Sequence, residues 1–142
     1  MRRILVTGAL GQIGSELVAA LRERWGAERI IASDLRTVPP QAPAGQGPYE
    51  HVDCTQPYQI LEAVRRHEIG TIYHLAALLS ARAEEQPQVA WNVNMGGLYN
   101  VLEAARQYGC QVFFPSSIGA FGRPRATARR KSPSSVPARC TE

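Results

Sequence analysis

Short apolar runs alternate with stretches of helical periodicity along the first 122 residues of this 142-residue chain. The runs that predict β-strands are RRILVT (2–7), RIIASD (29–34), YEHVD (near 49–53), TIYHLAA (71–77) and CQVFFPSS (110–117). Apolar residues at helical spacing predict helices over 14–25, 57–67 and 88–108, with Gly109 after the last. Because the strands are nearly all apolar and alternate with helices, the pattern favours an α/β fold whose parallel sheet is covered on both faces.

Two of the predicted helices carry a continuous apolar face. The face of the first consists of Leu17, Val18, Leu21 and Trp25. The face of the longest consists of Val89, Val93, Gly97, Leu98, Val101, Leu102 and Ala105. We expect the face of the longest helix to pack in the core.

A glycine-rich segment, GALGQIG (8–14), stands between the first predicted strand and the first predicted helix. Glycine permits a tight turn at a strand end, lets main-chain amides approach a pyrophosphate, and allows a helix to pack closely on a strand. The spacing is G-x-x-G-x-x-G rather than the general G-x-G-x-x-G. Without further context, an ordinary turn is an equally good interpretation.

Context for a dinucleotide site comes from Asp34, which ends the second predicted strand 26 residues after Gly8. An acid at this place accepts a hydrogen bond from a ribose 2′-hydroxyl and favours NAD over NADP. Arg36 leaves NADP as an alternative cofactor, since a guanidinium can pair with a 2′-phosphate. Asp53 follows the third predicted strand and is placed to reach the adenine. A turn or cap role is the alternative for both aspartates.

The positive charge of the chain lies in its last segment. The formal net charge is +4, but residues 1–122 carry a net charge of −1 and residues 123–142 a net charge of +5. The segment 123–142 has neither periodicity nor an aromatic residue. We therefore interpret it as a disordered or out-of-frame tail and not as a nucleic-acid-binding arm.

Cysteine usage and hydropathy exclude several other classes. Cys54, Cys110 and Cys140 have no metal-ligand spacing and are too few for a disulfide scaffold, which fits a reducing cytosol. No apolar run approaches the roughly 18 residues of a membrane span. We expect a soluble, cytoplasmic protein without a metal site. His74, on an apolar strand, is interpreted as a satisfied core histidine and not as a catalyst.

Longer motifs of the chain resemble those of the extended short-chain dehydrogenases, the NAD-dependent epimerase/dehydratase family. These motifs are VTGALGQIGSELV, IASD, YHLAALLSA, WNVNMGGLYNVLEAAR and FFPSSIGAFG, and the resemblance covers residues 2–122. Within the family the chain is most similar to the epimerase-like L-threonine 3-dehydrogenases. The resemblance implies a partial Rossmann fold with five parallel strands in the order 3-2-1-4-5. It also implies NAD as cofactor, L-threonine or a related small-molecule substrate, and homodimers among intact relatives.

The same resemblance implies roles for individual residues. The pyrophosphate is expected at Gly8, Gly11, Gln12, Ile13 and Gly14, and the adenosine at Asp34, Leu35, Asp53 and Cys54. The cofactor is further expected to meet Leu75, Ala76 and Ala77, with Asn94 in the helix behind the site. Ser80 and Ser116 are expected to face the substrate. Ser117 is the expected catalytic residue that hydrogen-bonds the reacting hydroxyl.

One part of the family's catalytic machinery is missing from the sequence. Relatives take the hydroxyl proton with a tyrosine whose pKa is lowered by a lysine four residues later, Y-x-x-x-K. None of the five tyrosines is followed by a lysine at that distance, and the single lysine, Lys131, has Thr127 four residues before it. We therefore expect the NAD-binding portion of an L-threonine 3-dehydrogenase, inactive as this chain. A nucleotide-sugar epimerase or dehydratase and a noncatalytic NAD-binding module are the alternatives.

A frameshift near codon 123, natural or introduced in sequencing, explains the loss of pattern after Gly122. In relatives the following segment resembles PxTPRxxTPQxTIQRPxTMYG, which contains the tyrosine. Codons for residues 135–142, read from their third base, permit R-P-G-A-M-Y-G. On this hypothesis residues 1–122 are the NAD-binding part, and residues 123–142 are the out-of-frame tail.

Sequencing the coding DNA around codon 123 tests the frameshift hypothesis. We expect the shifted frame to encode Met-Tyr-Gly before the stop codon, because the first two bases of the codons for Cys140, Thr141 and Glu142 supply the second and third bases of these three codons. A shifted frame without these three residues would contradict the hypothesis.

Overall fold

The computed structural model describes residues 2–38 and 43–116. In chain order its main elements are β1 (Arg3–Thr7), α1 (Gln12–Trp25), β2 (Ile30–Asp34), β3 (Tyr49–His51), α2 (Pro57–Arg66), β4 (Ile69–His74), α3 (Ser80–Glu85), α4 (Pro87–Trp91), a π-helical turn (Asn92–Gly96), α5 (Gly97–Tyr108) and β5 (Gln111–Phe113). Short 3-10 turns at Ala27–Arg29 and Pro43–Gln46 precede β2 and β3. Ser117 and the segment 123–142 lie outside the described residues.

The five described strands form one parallel sheet in the order β3-β2-β1-β4-β5. This confirms the predicted α/β class, the parallel arrangement and the strand order. β1 lies at the centre, where Leu5 is level with Ile31 of β2 and Ile72 of β4. The carboxyl ends of β1, β2 and β4 therefore meet at one edge of the sheet.

The described helices cover the two faces of the sheet and form separate apolar cores. On one face Val6 of β1 belongs to the same core as Val18 of α1. On the other face Leu5 belongs to a core with Ile60 of α2 and Val101 of α5. Because successive strand side chains point to opposite faces, β1 contributes to both cores. The apolar surface that they bury is the main favourable contribution to folding.

β4 ends earlier than the predicted strand over 71–77. Its last residue is His74, and the next main-chain hydrogen bond, from the Leu75 N–H to the Thr7 carbonyl, is 3.1 Å long. Beyond Thr7 the neighbouring chain turns away at Gly8, whose φ is +72°. Residues 75–79 therefore leave the sheet and form an irregular segment at its carboxyl edge.

The predicted helix over 88–108 contains the π-helical turn Asn92–Gly96. A π turn holds more residues than an α turn, so the apolar face before it is out of phase with the face after it. Val89 is therefore 45% exposed and not in the core as predicted. The buried face of α5 runs through Val101 and Ala105. Leu102 is turned away from this face, and the prediction that it is a core residue is also wrong, since it is 48% exposed.

Three smaller differences concern the end of α1, the length of β5 and the presence of α3. Trp25, on the predicted apolar face of the first helix, is 38% exposed, because it is the last residue of α1 and the chain turns at Gly26. β5 covers only three residues of the predicted strand over 110–117. The short helix α3 is not predicted by the sequence, since six residues are too few for a periodic pattern.

Helix length and the placement of possible ligand side chains are defined for the described residues only. None of the helices within 2–38 and 43–116 is long and apolar enough to span a bilayer. The same residues contain no group of three or more His, Cys, Asp or Glu side chains placed to hold a metal ion. Cys54 and Cys110 are free thiols.

His74 is fully buried at the end of β4. Its Nδ1 shares a hydrogen bond of 2.7 Å with the Thr7 hydroxyl, whereas its Nε2 has no hydrogen-bond partner among the described residues. Burial lowers the pKa of His74 to about 4, because a charged ring would lose its hydration. The ring is therefore neutral at pH 7. It lies in the core as predicted, but only one of its two nitrogens is satisfied.

The buried neutral ring of His74 predicts that stability depends on pH. The pKa of an unfolded histidine is about 6.5, above the folded value of about 4, so the unfolded chain binds more protons between these two values. The contribution of His74 to the free energy of unfolding is fully present above about pH 6.5. It is lost progressively towards about pH 4, by up to about 3 kcal/mol at 1.36 kcal/mol per pKa unit. Urea unfolding at several pH values across this range measures the decrease.

His74→Asn is the control, since it retains a polar group near the Thr7 hydroxyl and removes the titrating ring. The variant is expected to be less stable at neutral pH, with a shallower loss of stability on acidification. An equally steep loss in the variant would show that other groups cause the pH dependence.

Candidate dinucleotide-binding site

A cavity of about 600 Å³ lies at the carboxyl edge of the sheet. Most of its lining residues lie at or just after the carboxyl ends of the four neighbouring strands β3, β2, β1 and β4. In open parallel sheets, ligands bind in the crevice outside the carboxyl ends of the strands. The topology therefore makes this cavity the first candidate for a functional site.

The glycine turn after β1 requires the absence of side chains. Gly8 has a φ of +72°, and a Cβ added to it would lie 2.7 Å from the main-chain nitrogen of Ala76. A Cβ on Gly14 would lie 2.1 Å from the Gly8 carbonyl oxygen. Both distances are far below van der Waals contact. These two glycines therefore bring the end of β1, the start of α1 and the segment after β4 into direct main-chain contact.

The start of α1 is suited to an anion. Its N-cap is Gly11, no side chain caps the helix, and the first turn contains no acidic residue. The first amides of a helix have no partner within the helix and carry about half a positive charge. Gly11 lines the cavity, so this helix start adjoins it. A phosphate group fits these uncapped amides.

The Asp34 carboxylate lies at the end of β2 and lines the cavity. Its Oδ2 accepts a hydrogen bond of 3.0 Å from the Leu10 N–H in the glycine turn. The Arg36 guanidinium forms an ion pair with it, with Nε 3.0 Å from Oδ1. Burial opposes ionisation, but the hydrogen bonds from Arg36 and Leu10 outweigh it and hold the pKa of Asp34 below its ordinary value. The side chain is thus an anionic acceptor beside the turn.

Asp53 and Cys54 also line the cavity, after β3. The Asp53 Oδ1 accepts hydrogen bonds from the Thr55 N–H at 2.9 Å and the Thr55 hydroxyl at 2.7 Å. Asp53 therefore has the turn role that the sequence left open, in addition to its place in the cavity wall. Burial raises the pKa of Cys54 to about 11, so its thiol is neutral at pH 7.

The cavity wall after β4 is fixed to the long helix by Asn94. The side-chain oxygen of Asn94 accepts a hydrogen bond of 2.8 Å from the Leu78 N–H, and its Nδ2 donates one of 3.1 Å to the Leu78 carbonyl. Asn94 lies in the π-helical turn, which is a common place for functional residues. The amide thus holds the irregular segment 75–79 in place.

Nine of the thirteen residues predicted to meet the cofactor line the cavity: Gly8, Gly11, Asp34, Leu35, Asp53, Cys54, Leu75, Ala76 and Ala77. The remaining four do not: Gln12 and Ile13 border a separate surface depression, Gly14 is buried under the glycine turn, and Asn94 lies behind the wall. Ser80 is the first residue of α3, and Ser116 is exposed after β5 and is not among the lining residues.

Several lining residues are not predicted from the sequence as cofactor contacts: Thr7, Val52, Leu78, Leu79, Ala81, Arg82 and Val93, together with Arg36, which the sequence indicates only as a possible phosphate partner. Thr7 and Val52 are at or next to strand ends, so position alone could have indicated them. Arg82 lies on α3, which the sequence pattern does not reveal. Leu78 and Leu79 are missed because they follow the predicted strand over 71–77, which extends beyond the end of β4 at His74.

A glycine turn into an uncapped helix, an acid after the neighbouring strand and a crevice at the strand ends together define a dinucleotide-binding Rossmann unit. The sequence model described as "NAD dependent epimerase/dehydratase family" matches residues 4–139. The chain belongs to this family. NAD, the cofactor predicted from the sequence, is the one on which the family depends.

The chain is also similar to individual proteins with known sequences or structures. An uncharacterized epimerase/dehydratase of Staphylococcus epidermidis is 54% identical over 122 residues, which are 86% of this chain and 38% of the relative. The L-threonine dehydrogenase structure from Clostridium difficile is 47% identical with a TM-score of 0.80, covering 84% of this chain and 38% of that one. UDP-glucose 4-epimerase from Thermus thermophilus, solved in complex with NAD, is 32% identical with a TM-score of 0.69, covering 81% and 37%. The chain thus spans less than two fifths of the length of these proteins.

Gly14 and Gly96 form a matched pair for testing the close packing of the glycine turn. A Cβ on Gly14 would clash with the Gly8 carbonyl, whereas one on Gly96, also in a helix, would meet nothing within 4 Å. Gly14→Ala is expected to lower the free energy of unfolding by about 3 kcal/mol. Gly96→Ala is expected to raise it by up to about 1 kcal/mol. Urea unfolding of both variants measures the difference, and equal effects would contradict the predicted contact.

Proposed function

We propose that this chain is the NAD-binding portion of an L-threonine 3-dehydrogenase. The observation that carries the proposal is the anionic Asp34, which lines the cavity and is bonded to the glycine turn. The 47% identity to L-threonine dehydrogenase from Clostridium difficile supports the substrate class. In this proposal residues 1–122 form the NAD-binding part and residues 123–142 are a separate tail.

The cofactor position is proposed from charge and space. The pyrophosphate would rest on the uncapped amides at the start of α1, next to Gly11, which lines the cavity. Asp34 would accept hydrogen bonds from the adenosine ribose, with Leu35, Asp53 and Cys54 around the adenine. The remaining half of the cofactor would then extend past Gly8 towards the segment after β4, where Leu75, Ala76 and Ala77 line the cavity.

Substrate contacts are proposed at the β4 and β5 side of the cavity. Bound NAD supplies a hydride acceptor, and the proposed reaction converts the threonine hydroxyl to the ketone of 2-amino-3-oxobutanoate. Ser117 would orient that hydroxyl, while Ser80 and Ser116 would face the rest of the substrate. Ser80 follows Leu79, which lines the cavity. Ser116 follows the strand that neighbours β4.

We propose that the chain as written does not catalyse this reaction. Removal of the hydroxyl proton needs a base whose pKa is near the working pH. The sequence contains no Y-x-x-x-K pair to provide it. His74 does not replace the pair, since it is fully buried and bonded to Thr7. Binding without turnover is therefore the proposed property of these 142 residues.

Two alternatives have specific support. The 32% identity to an NAD-bound UDP-glucose 4-epimerase keeps a nucleotide-sugar substrate open. The absence of a Y-x-x-x-K pair from the sequence supports a second alternative, a noncatalytic NAD-binding module. The higher identity to L-threonine dehydrogenase favours the L-threonine 3-dehydrogenase proposal over the epimerase alternative.

We also propose that intact relatives form homodimers and that the protein is cytoplasmic. Four apolar side chains are exposed on the α4–α5 region: Trp91 (67%), Met95 (47%), Tyr99 (64%) and Leu102 (48%). They lie on successive helical turns, and an exposed apolar patch of this kind is typical of an interface. The free thiols Cys54 and Cys110 fit a reducing compartment.

Calorimetric titration with NAD tests the binding proposal. The 142-residue chain is expected to bind NAD. Asp34→Ala is expected to weaken binding by about tenfold or more, because a hydrogen bond to a charged group contributes about 1.5–3 kcal/mol. Glu103→Ala is the matched control, since Glu103 is an acid paired with Arg106 outside the cavity wall. Absence of NAD binding, in a chain that circular dichroism reports as folded, would contradict the proposal.

Activity of the frame-restored protein tests the substrate proposal. It is expected to reduce NAD with L-threonine and not to epimerise UDP-glucose, whereas the 142-residue chain should do neither. Gel filtration of the same sample reports whether it is a dimer. UDP-sugar activity without threonine oxidation would favour the epimerase alternative.

A further inference from the structure

The charged residues that line the cavity are paired, with one exception. Asp34 and Arg36 form an ion pair, in which Oδ1 and Nε lie 3.0 Å apart. Asp53 accepts two hydrogen bonds from Thr55. Arg82 also lines the cavity, but its guanidinium forms no hydrogen bond or ion pair with another of the described residues. A positive charge of the wall is therefore left for a ligand.

The charges of the cavity wall are arranged along the order of the strands. Asp53 follows β3 and Asp34 ends β2, whereas Arg82 lies on α3, which follows β4. The acids are therefore on the side proposed for the adenosine, and the Arg82 charge is on the side proposed for the substrate. A ligand set with hydroxyl donors at one end and an anionic group at the other matches this arrangement.

The main chain that carries Arg82 is fixed. The Gln86 N–H donates a hydrogen bond of 3.0 Å to the Arg82 carbonyl. Shortly before α3, the main chain of Leu78 is bonded to the Asn94 amide through both its N–H and its carbonyl. These bonds set the place of Arg82 relative to the cavity, so that the adjustment to a ligand falls to its side chain.

A ligand that fills the cavity takes water away from the Arg82 guanidinium. Arg82 is exposed, and the wall residues Leu79, Ala81 and Val93 have apolar side chains that cannot replace the lost water. A charge that loses its water without gaining a partner is costly. The ligand must therefore present an anionic group at this place.

The proposed cofactor and substrate contain two kinds of anionic group, the pyrophosphate of NAD and the carboxylate of threonine. The pyrophosphate has a proposed place of its own, on the uncapped amides at the start of α1 next to Gly11. The carboxylate belongs to the substrate, which is proposed at the β4 side of the cavity. Its two oxygens match the planar fork of a guanidinium.

We propose that Arg82 binds the carboxylate of the amino-acid substrate and selects free α-amino acids over analogues that lack this charge. The proposal rests on the proposed function and deepens it. In this role Arg82 determines specificity and takes no part in the transfer of the proton or the hydride.

Titration of the NAD-loaded 142-residue chain with L-threonine, followed by NMR, tests the role of Arg82. The second ligand is L-threonine amide, in which a neutral amide replaces the carboxylate. The unmodified chain is expected to bind L-threonine more tightly than the amide. Arg82→Ala is expected to bind L-threonine about tenfold more weakly, the effect of one charge-assisted hydrogen bond, and to bind the amide as before.

Two further variants separate recognition from general charge effects. Arg106→Ala removes an exposed arginine that is paired with Glu103 and does not line the cavity, so its affinity for L-threonine should be unchanged. Arg82→Lys retains the charge but not the planar fork, so its affinity should be intermediate. The affinity for NAD should be the same in every variant, and circular dichroism confirms that each is folded.

Kinetics of the frame-restored protein give a second readout. Arg82→Ala is expected to raise KM for L-threonine about tenfold. The kcat value should change little, because a contact made equally in the ground state and the transition state affects KM alone.

The outcomes distinguish the role of Arg82 from the proposed function. If NAD binds but L-threonine does not, or if Arg82→Ala binds L-threonine within about threefold of the unmodified chain, the role is wrong and NAD binding stands. A loss of NAD affinity of about tenfold in Arg82→Ala has the same meaning, since it would assign the guanidinium to the pyrophosphate. If the unmodified chain binds no NAD, or the frame-restored protein does not oxidise L-threonine, the proposed function is overturned together with the role of Arg82.

Discussion

Direct contact between main-chain segments at Gly8 and Gly14 is the constraint on which the rest of this structure depends. The Gly8 carbonyl occupies the space where any side chain at position 14 would begin, and the main chain of Ala76 closes on Gly8 from the other side. No other residue type fits at these two positions. This contact sets α1 directly against the end of β1 and holds the segment after β4 beside it. The cavity exists because these three segments converge at one edge of the sheet.

Electrostatics at the cavity follow from the same convergence. The glycine turn directs the Leu10 amide to Asp34, so the acid that is proposed to hold the ribose also braces the turn. Its negative charge is partly balanced by Arg36, and the uncapped start of α1 has no such partner from a side chain. A ligand with phosphates at its centre and a diol at one end matches this distribution of charge.

The resemblance of the sequence motifs to the epimerase/dehydratase family predicted the strand order and most of the cavity wall, and the topology of parallel sheets explains why that prediction holds. Parallel strands joined by helices allow few arrangements, and the residues that follow each strand necessarily meet at one edge. Helical periodicity failed at Val89, because it assumes a constant number of residues per turn and the π-helical turn breaks that assumption. The bonds between Asn94 and Leu78 join positions 16 residues apart, so no local pattern reveals them. The ion pair of Arg36 with Asp34 depends on how the chain bends after β2, which residue types alone do not specify.

The hydrogen bonds of Asn94 link the surface of the helical region to the wall of the cavity. Both polar atoms of its amide are bonded to the main chain of one residue, Leu78, so two hydrogen bonds join the π-helical turn directly to the cavity wall. The outer side of the same helical region carries Trp91 and Met95, exposed to solvent. If a partner protein bound these side chains and displaced the π-helical turn, the Asn94 hydrogen bonds would transmit the displacement to Leu78 and change the width of the cavity.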